Sequence, residues 1–104
     1  MRTIYKYGFG TQDKLRITSD YPLEFLTCQY QRGVPTIWAL VKGDVWDQGH
    51  YEYEAVLVGT GWDLSSALDN YKYLGTIQES GGLLIWHCFV KEVNSDEDAE
   101  EIVW

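Results

Sequence analysis

Val34-Pro35-Thr36-Ile37-Trp38-Ala39-Leu40-Val41 is apolar at almost every position and follows a tight turn at Gln31-Arg32-Gly33. Strict alternation would bury one face of a strand; a run apolar on both faces reads as a central strand covered on both sides. Pro35 fits only near its beginning, where a missing amide donor is tolerated. Upstream, Leu23 to Gln31 forms the other arm of a hairpin. Alternation sets Leu23, Phe25 and Thr27 on one face, and Leu26, Cys28 and Tyr30 on the other.

The same period of two extends outward. Thr3 to Phe9 is rich in β-formers and ends at Gly8 and Gly10. Lys14-Leu15-Arg16-Ile17-Thr18 alternates charged and apolar, as a half-buried edge strand does, before a turn at Ser19-Asp20-Tyr21-Pro22. Tyr51 to Val58 begins as alternation and becomes wholly apolar, so it runs from an exposed edge into the core. Tyr71 to Gln78 and Leu83 to Val90 flank Ser80-Gly81-Gly82, a second hairpin whose glycines supply positive φ. Asp63 to Asn70 is the one helix-like stretch, two turns at most with Asp63 as its cap, and short enough to be a structured loop. The expected fold is all-β: an antiparallel meander of six to seven strands forming a small sandwich or a partly closed barrel. One β domain spans residues 1–91, and an acidic tail spans residues 92–104.

Charge is divided unevenly between the two. Residues 1–91 carry ten acids against eight bases, while the tail adds six acids and no base to reach the formal −8 of the 104-residue chain. A pI near 4.5 with scattered Lys and Arg argues against unaided binding to nucleic acid or anionic membranes, which requires a basic patch. It favours a basic protein surface as partner, a solubility role, or mimicry of nucleic acid. The start of the chain has no apolar core of a signal peptide, and no run approaches the length of a membrane span. Cytoplasm is therefore the expected compartment, and Cys28 and Cys88, which could pair as a disulfide, are read there as two buried thiols.

Candidate chemistry is sparse. His87 and Cys88 are adjacent in one strand and point to opposite faces, which rules out a direct dyad. Glu52 and Glu54 share a face about 7 Å apart, near the spacing of a glycosidase pair, yet alternating Tyr-Glu is also how a solvent-facing strand reads. Two Cys and two His lack any zinc-finger spacing, so neither a metal nor another cofactor is expected. Gly59-Thr60-Gly61 lacks the Lys-Ser/Thr of a phosphate loop, but its amides can hold an anion beside the Trp62 ring. The reading favoured for Trp62, however, is a ring that plugs the end of the barrel. Aromatics make up 15% of the chain, more than core packing alone requires, and Trp46 stands isolated in a polar loop.

These residues resemble a small, largely uncharacterised family of bacteriophage proteins. The likeness rests on an opening close to Met-Lys-Thr-Ile-Trp-Lys-Tyr, here Met1 to Tyr7, and on a Gly-Val-Pro-x-x-Trp-Ala-Leu-Val strand, here Gly33 to Val41. A Gly-Thr-Gly turn matches Gly59 to Gly61. The close, Tyr-x-Gly-Thr-x-Gln and then Gly-Gly-x-Leu-x-x-His-x-Phe, matches Tyr73 to Gln78 and Gly81 to Phe89. The loop from Trp46 to Tyr51 and the segment from Glu92 onward fall outside the likeness, which carries no activity with it. What it implies is a phage accessory protein acting inside the infected bacterial host.

The expected function is thus non-enzymatic binding that inhibits a bacterial anti-phage defence component. The contact residues expected are Trp46, Asp96, Glu97, Asp98, Glu100, Glu101 and Trp104, with acids steering encounter and Trp rings anchoring it. The alternative is a homo-oligomeric sponge for a small nucleotide signal, held by Gly59, Thr60, Gly61, Trp62, Arg32 and His87.

Overall fold

The computed structural model describes residues 2–64, 66–79 and 81–93. Its strands, in chain order, are β1 (Arg2–Gly8), β2 (Lys14–Ser19), β3 (Leu23–Gln31), β4 (Val34–Lys42), β5 (Tyr51–Gly59), β6 (Lys72–Gln78) and β7 (Ile85–Val93). They form two antiparallel sheets of order β1-β4-β3 and β2-β5-β7-β6. The fold is all-β, an open sandwich and not a closed barrel. Only β3–β4 and β6–β7 are hairpins between neighbours; β1 returns to pair with β4 and β2 with β5, so the path departs from a simple meander. β7 continues through Glu92 and Val93, with Val93 opposite Glu52, and so takes in the first two residues of the acidic segment.

β4 is the central strand of its sheet, paired on both edges, but only its inner face is fully covered. Ile37, Ala39 and Val41 are buried on the inner face, while Trp38 and Leu40 are half-buried on the outer. β2 is the edge strand that its alternation predicts. β5 lies inside the second sheet, where Ala55 and Leu57 face the core. Val56 and Val58 are buried too, although they point the other way. Tyr71 lies on that outer face, where it hydrogen-bonds Glu54 and has Lys91 Nζ 4.9 Å over its ring.

Two departures from simple alternation have physical causes. In β3 the register slips between Phe25 and Thr27, so Leu26 bulges outward and is 42% exposed. The extra residue reverses the parity of the strand, and Leu23, Phe25 and Cys28 all pack on the core, correcting the face assignment made from alternation alone. A matching slip lies between Tyr73 and Gly75 in β6. The second departure is Asp63 to Asn70, whose described residues form separate turns through Ala67 N–H to Leu64 O, Asp69 N–H to Ser66 O and Tyr71 N–H to Leu68 O. Eight residues are too few to offset the cost of nucleating a helix. Among the described residues the helical element is instead a 3-10 turn at Val45–Asp47, and no helix is long and apolar enough to cross a membrane.

The core joins the sheets through Cys28 and Ile37 on one side and Tyr53, Ala55, Leu57, Ile77, Cys88 and Val90 on the other. Replacing Ile37 with Ala should cost about 2–5 kcal/mol, whereas Leu26→Ser should cost under about 1 kcal/mol, as read from urea denaturation. Burial pushes the phenols of Tyr7, Tyr53 and Tyr71 up from 10.0, and the hydrogen bond to Cys28, together with burial, pushes the Cys88 thiol up from 9.0. Because the unfolded chain ionises first, stability is fully present below about pH 9 and falls as pH rises past it. Urea midpoints at neutral pH and above about pH 10 should differ accordingly; a flat profile would contradict the buried, neutral state of these groups.

Candidate functional site

The loop between β4 and β5 passes from one sheet to the other and carries Trp46. Asp44 caps its 3-10 turn: the Asp44 carboxylate accepts from Trp46 N–H at 2.9 Å, and Asp47 accepts from Asp44 N–H at 3.0 Å. Tyr51 O–H donates to Asp47 O at 2.8 Å and ties the turn to the start of β5. This bracing holds a Trp side chain that is 88% exposed next to Val45, itself largely in solvent. A braced backbone lowers the cost of ordering this turn on binding, and the exposed indole offers a large apolar surface.

Beside the turn lies a groove of about 1010 Å³ between the facing edges of β3 and β6. Leu23, Phe25, Tyr53 and Leu74 form its apolar floor, with the rings of Phe25 and Tyr53 edge to face at 5.1 Å. The Tyr53 hydroxyl accepts from Leu23 N–H at 2.9 Å, linking the two sheets at this floor. Arg2, Lys42, Lys72 and Lys91 line it, together with Glu24, Asp44, Asp47 and Glu92, so the rim is charge-balanced. These bases are far apart in sequence, and only the pairing of β1 with β4 and of β6 with β7 gathers half the chain's cations around one groove. No local motif signals it.

The alternative set of ligand residues is divided by the fold. Thr60 meets His87 on the outer face of the second sheet, 2.6 Å from Nε2, while Thr76 lies 2.9 Å from Nδ1 and also hydrogen-bonds Tyr73. Trp62 turns instead toward Gly59 and Trp86, packing edge to face on Trp86 at 5.7 Å and covering the end of the sandwich. Gly59 and Gly61 therefore frame a turn whose two side chains part company. Arg32 sits in the β3–β4 turn of the other sheet, at φ 52.

The remaining candidates sort as follows. Both ring nitrogens of His87 are engaged by hydroxyls, and Cys88 lies fully buried on the opposite face. Arg16 on β2 spans Glu52 at 3.4 Å and Glu54 at 3.9 Å, and His50 reaches Glu52 at 3.3 Å. The two carboxylates thus belong to a solvated ion-pair cluster of the kind that contributes under about 1 kcal/mol per pair. Among the described residues no three metal-ligating side chains come together. Asp96, Glu97, Asp98, Glu100, Glu101 and Trp104 lie outside the described residues.

An added Cβ at Gly59 would stand 2.6 Å from Trp62 Nε1. Gly59→Ala should therefore dislodge Trp62 from Trp86, at a cost of about 1–3 kcal/mol. The near-ultraviolet circular dichroism of the Trp pair should change with it.

No curated protein and no solved structure matches the chain. A family model does, over residues 1–99, and so reaches into the acidic segment beyond β7. The chain belongs to the family described as a domain of unknown function, DUF7352.

Proposed function

We propose that this protein acts by binding another protein, without making or breaking a covalent bond. The observation that carries the reading is Trp46, almost wholly in solvent on a turn braced at both ends by Asp44 and Asp47. Interfaces draw most of their energy from such aromatic anchors set in a partner's pocket. The adjacent groove adds an apolar floor wide enough for a segment of the partner, at the same end of the sandwich. The chain's formal −8 supports a partner with a basic surface, which would accelerate encounter at low salt. The resemblance to bacteriophage proteins supplies the class of partner: a host defence component, inhibited by occupation of its surface in the cytoplasm of the infected cell.

Trp46→Ala should weaken partner binding at least about tenfold while leaving the melting temperature within a few degrees, because the side chain packs on little. Truncation after Val93 spares β7 and should slow association, with the salt dependence of the rate constant reduced. Surface plasmon resonance against the partner recovered from host lysate, with and without nuclease, measures both. If both variants bind and inhibit as the full chain does, the reading fails. Titration with cyclic dinucleotides tests the nucleotide-sponge alternative: quenched Trp emission would favour it over a protein partner.

A further inference from the structure

Cys28 and Cys88 occupy the inner faces of opposite sheets, Cys28 on the edge strand β3 and Cys88 on the interior strand β7. Both are free thiols, buried in one apolar cluster, with Cys88 wholly inaccessible. Within that cluster Cys88 S–H is placed to donate to Cys28 Sγ. No ladder of backbone bonds joins the two sheets, so a bond between these two thiols would tie them covalently across the core. Sixty residues of chain separate the two positions, and closing so long a loop restricts the unfolded state strongly.

We propose that Cys28 and Cys88 form a site of reversible oxidation, closing to a disulfide that pins one sheet of the sandwich to the other. The oxidant is a small disulfide such as oxidised glutathione. The Cys28 thiolate attacks one sulfur of the reagent, forming a mixed disulfide and releasing the first thiolate. Cys88, deprotonated in its turn, attacks Cys28 Sγ, forming the intramolecular bond and releasing the second thiolate. The protein loses two electrons and two protons, and the reagent gains them as two thiols.

The order of attack follows from position. Cys28 lies two residues beyond the Leu26 bulge on an edge strand, where the ladder is already interrupted and local opening is easiest. Cys88 is paired on both sides, by Leu57 of β5 and Gly75 of β6, and opens only with the sheet. The hydrogen bond from Cys88 also draws the Cys28 thiol down, against the opposing pull of burial. The consequence reaches the binding end of the molecule. The loop carrying Trp46 runs from β4 in one sheet to β5 in the other, so a pin between sheets fixes the two anchors of that loop.

The test is to incubate the full chain with oxidised glutathione under native conditions and then read its intact mass and melting temperature. The expected result is a monomer lighter by two hydrogens, with a melting temperature roughly 10 °C higher or more, reversed by dithiothreitol. Native alkylation with iodoacetamide, followed by peptide mapping, should label Cys28 before Cys88. Cys28→Ala and Cys88→Ala should each abolish the mass loss, and their own melting temperatures show whether they remain folded. A native chain that keeps both thiols while the urea-unfolded chain oxidises would overturn the proposal. So would a disulfide that forms but lowers the melting temperature, since the native separation would then resist the bond.

Discussion

Two sheets that share no ladder of hydrogen bonds are held by the dry contact between their inner faces, and the placement of every other feature follows from it. Ile37 and Cys28 meet Tyr53, Ala55, Leu57, Cys88 and Val90 in that layer. Each strand must deliver an apolar side chain inward at the right register, or its whole inner set turns to water. Apolar burial at about 25 cal/mol per Å² makes such a slip costly across nine-residue strands such as β4, β5 and β7. The polar bonds between the layers, notably Leu23 N–H to the Tyr53 hydroxyl, orient the contact more than they drive it.

Much of this was legible in residue order. β4 declared itself by being apolar on both faces, β2 by its alternation with Lys14 and Arg16, and the two hairpins by Arg32-Gly33 and Gly81-Gly82. What could not be read was of two kinds. A bulge inserts one residue with no compositional mark, so strict alternation sets Cys28 opposite Leu23 and Phe25, whereas the slip at Leu26 brings all three to the core. Long-range pairing is likewise silent: nothing in Arg2 or Lys72 announces that β1 returns to β4 and that β6 folds beside β7, yet these pairings build the groove. Trp46 was conspicuous as an isolated ring, while the capping pair Asp44 and Asp47 that fixes its turn passed for ordinary loop polarity.

The polar groups that the sequence singles out are each held by neighbours in the fold. His87 sits in a chain of hydroxyls from Thr60 through Thr76 to Tyr73, which orients its ring against the sheet. Glu52 and Glu54 are clamped by Arg16. Each titratable candidate is already spoken for by a neighbour on the surface, whereas Trp46 and Val45 have surface to offer and little structure to lose.

The bulges at Leu26 and Leu74 sit on β3 and β6, strands that lie alongside one another yet never join. Straight strands in those positions would be free to zip together and convert the seam into continuous wall. Kinked as they are, the two margins act like a coat left unbuttoned, and the lumen stays reachable from the flank. The groove therefore opens along two margins that each carry an inserted leucine, Leu26 on β3 and Leu74 on β6.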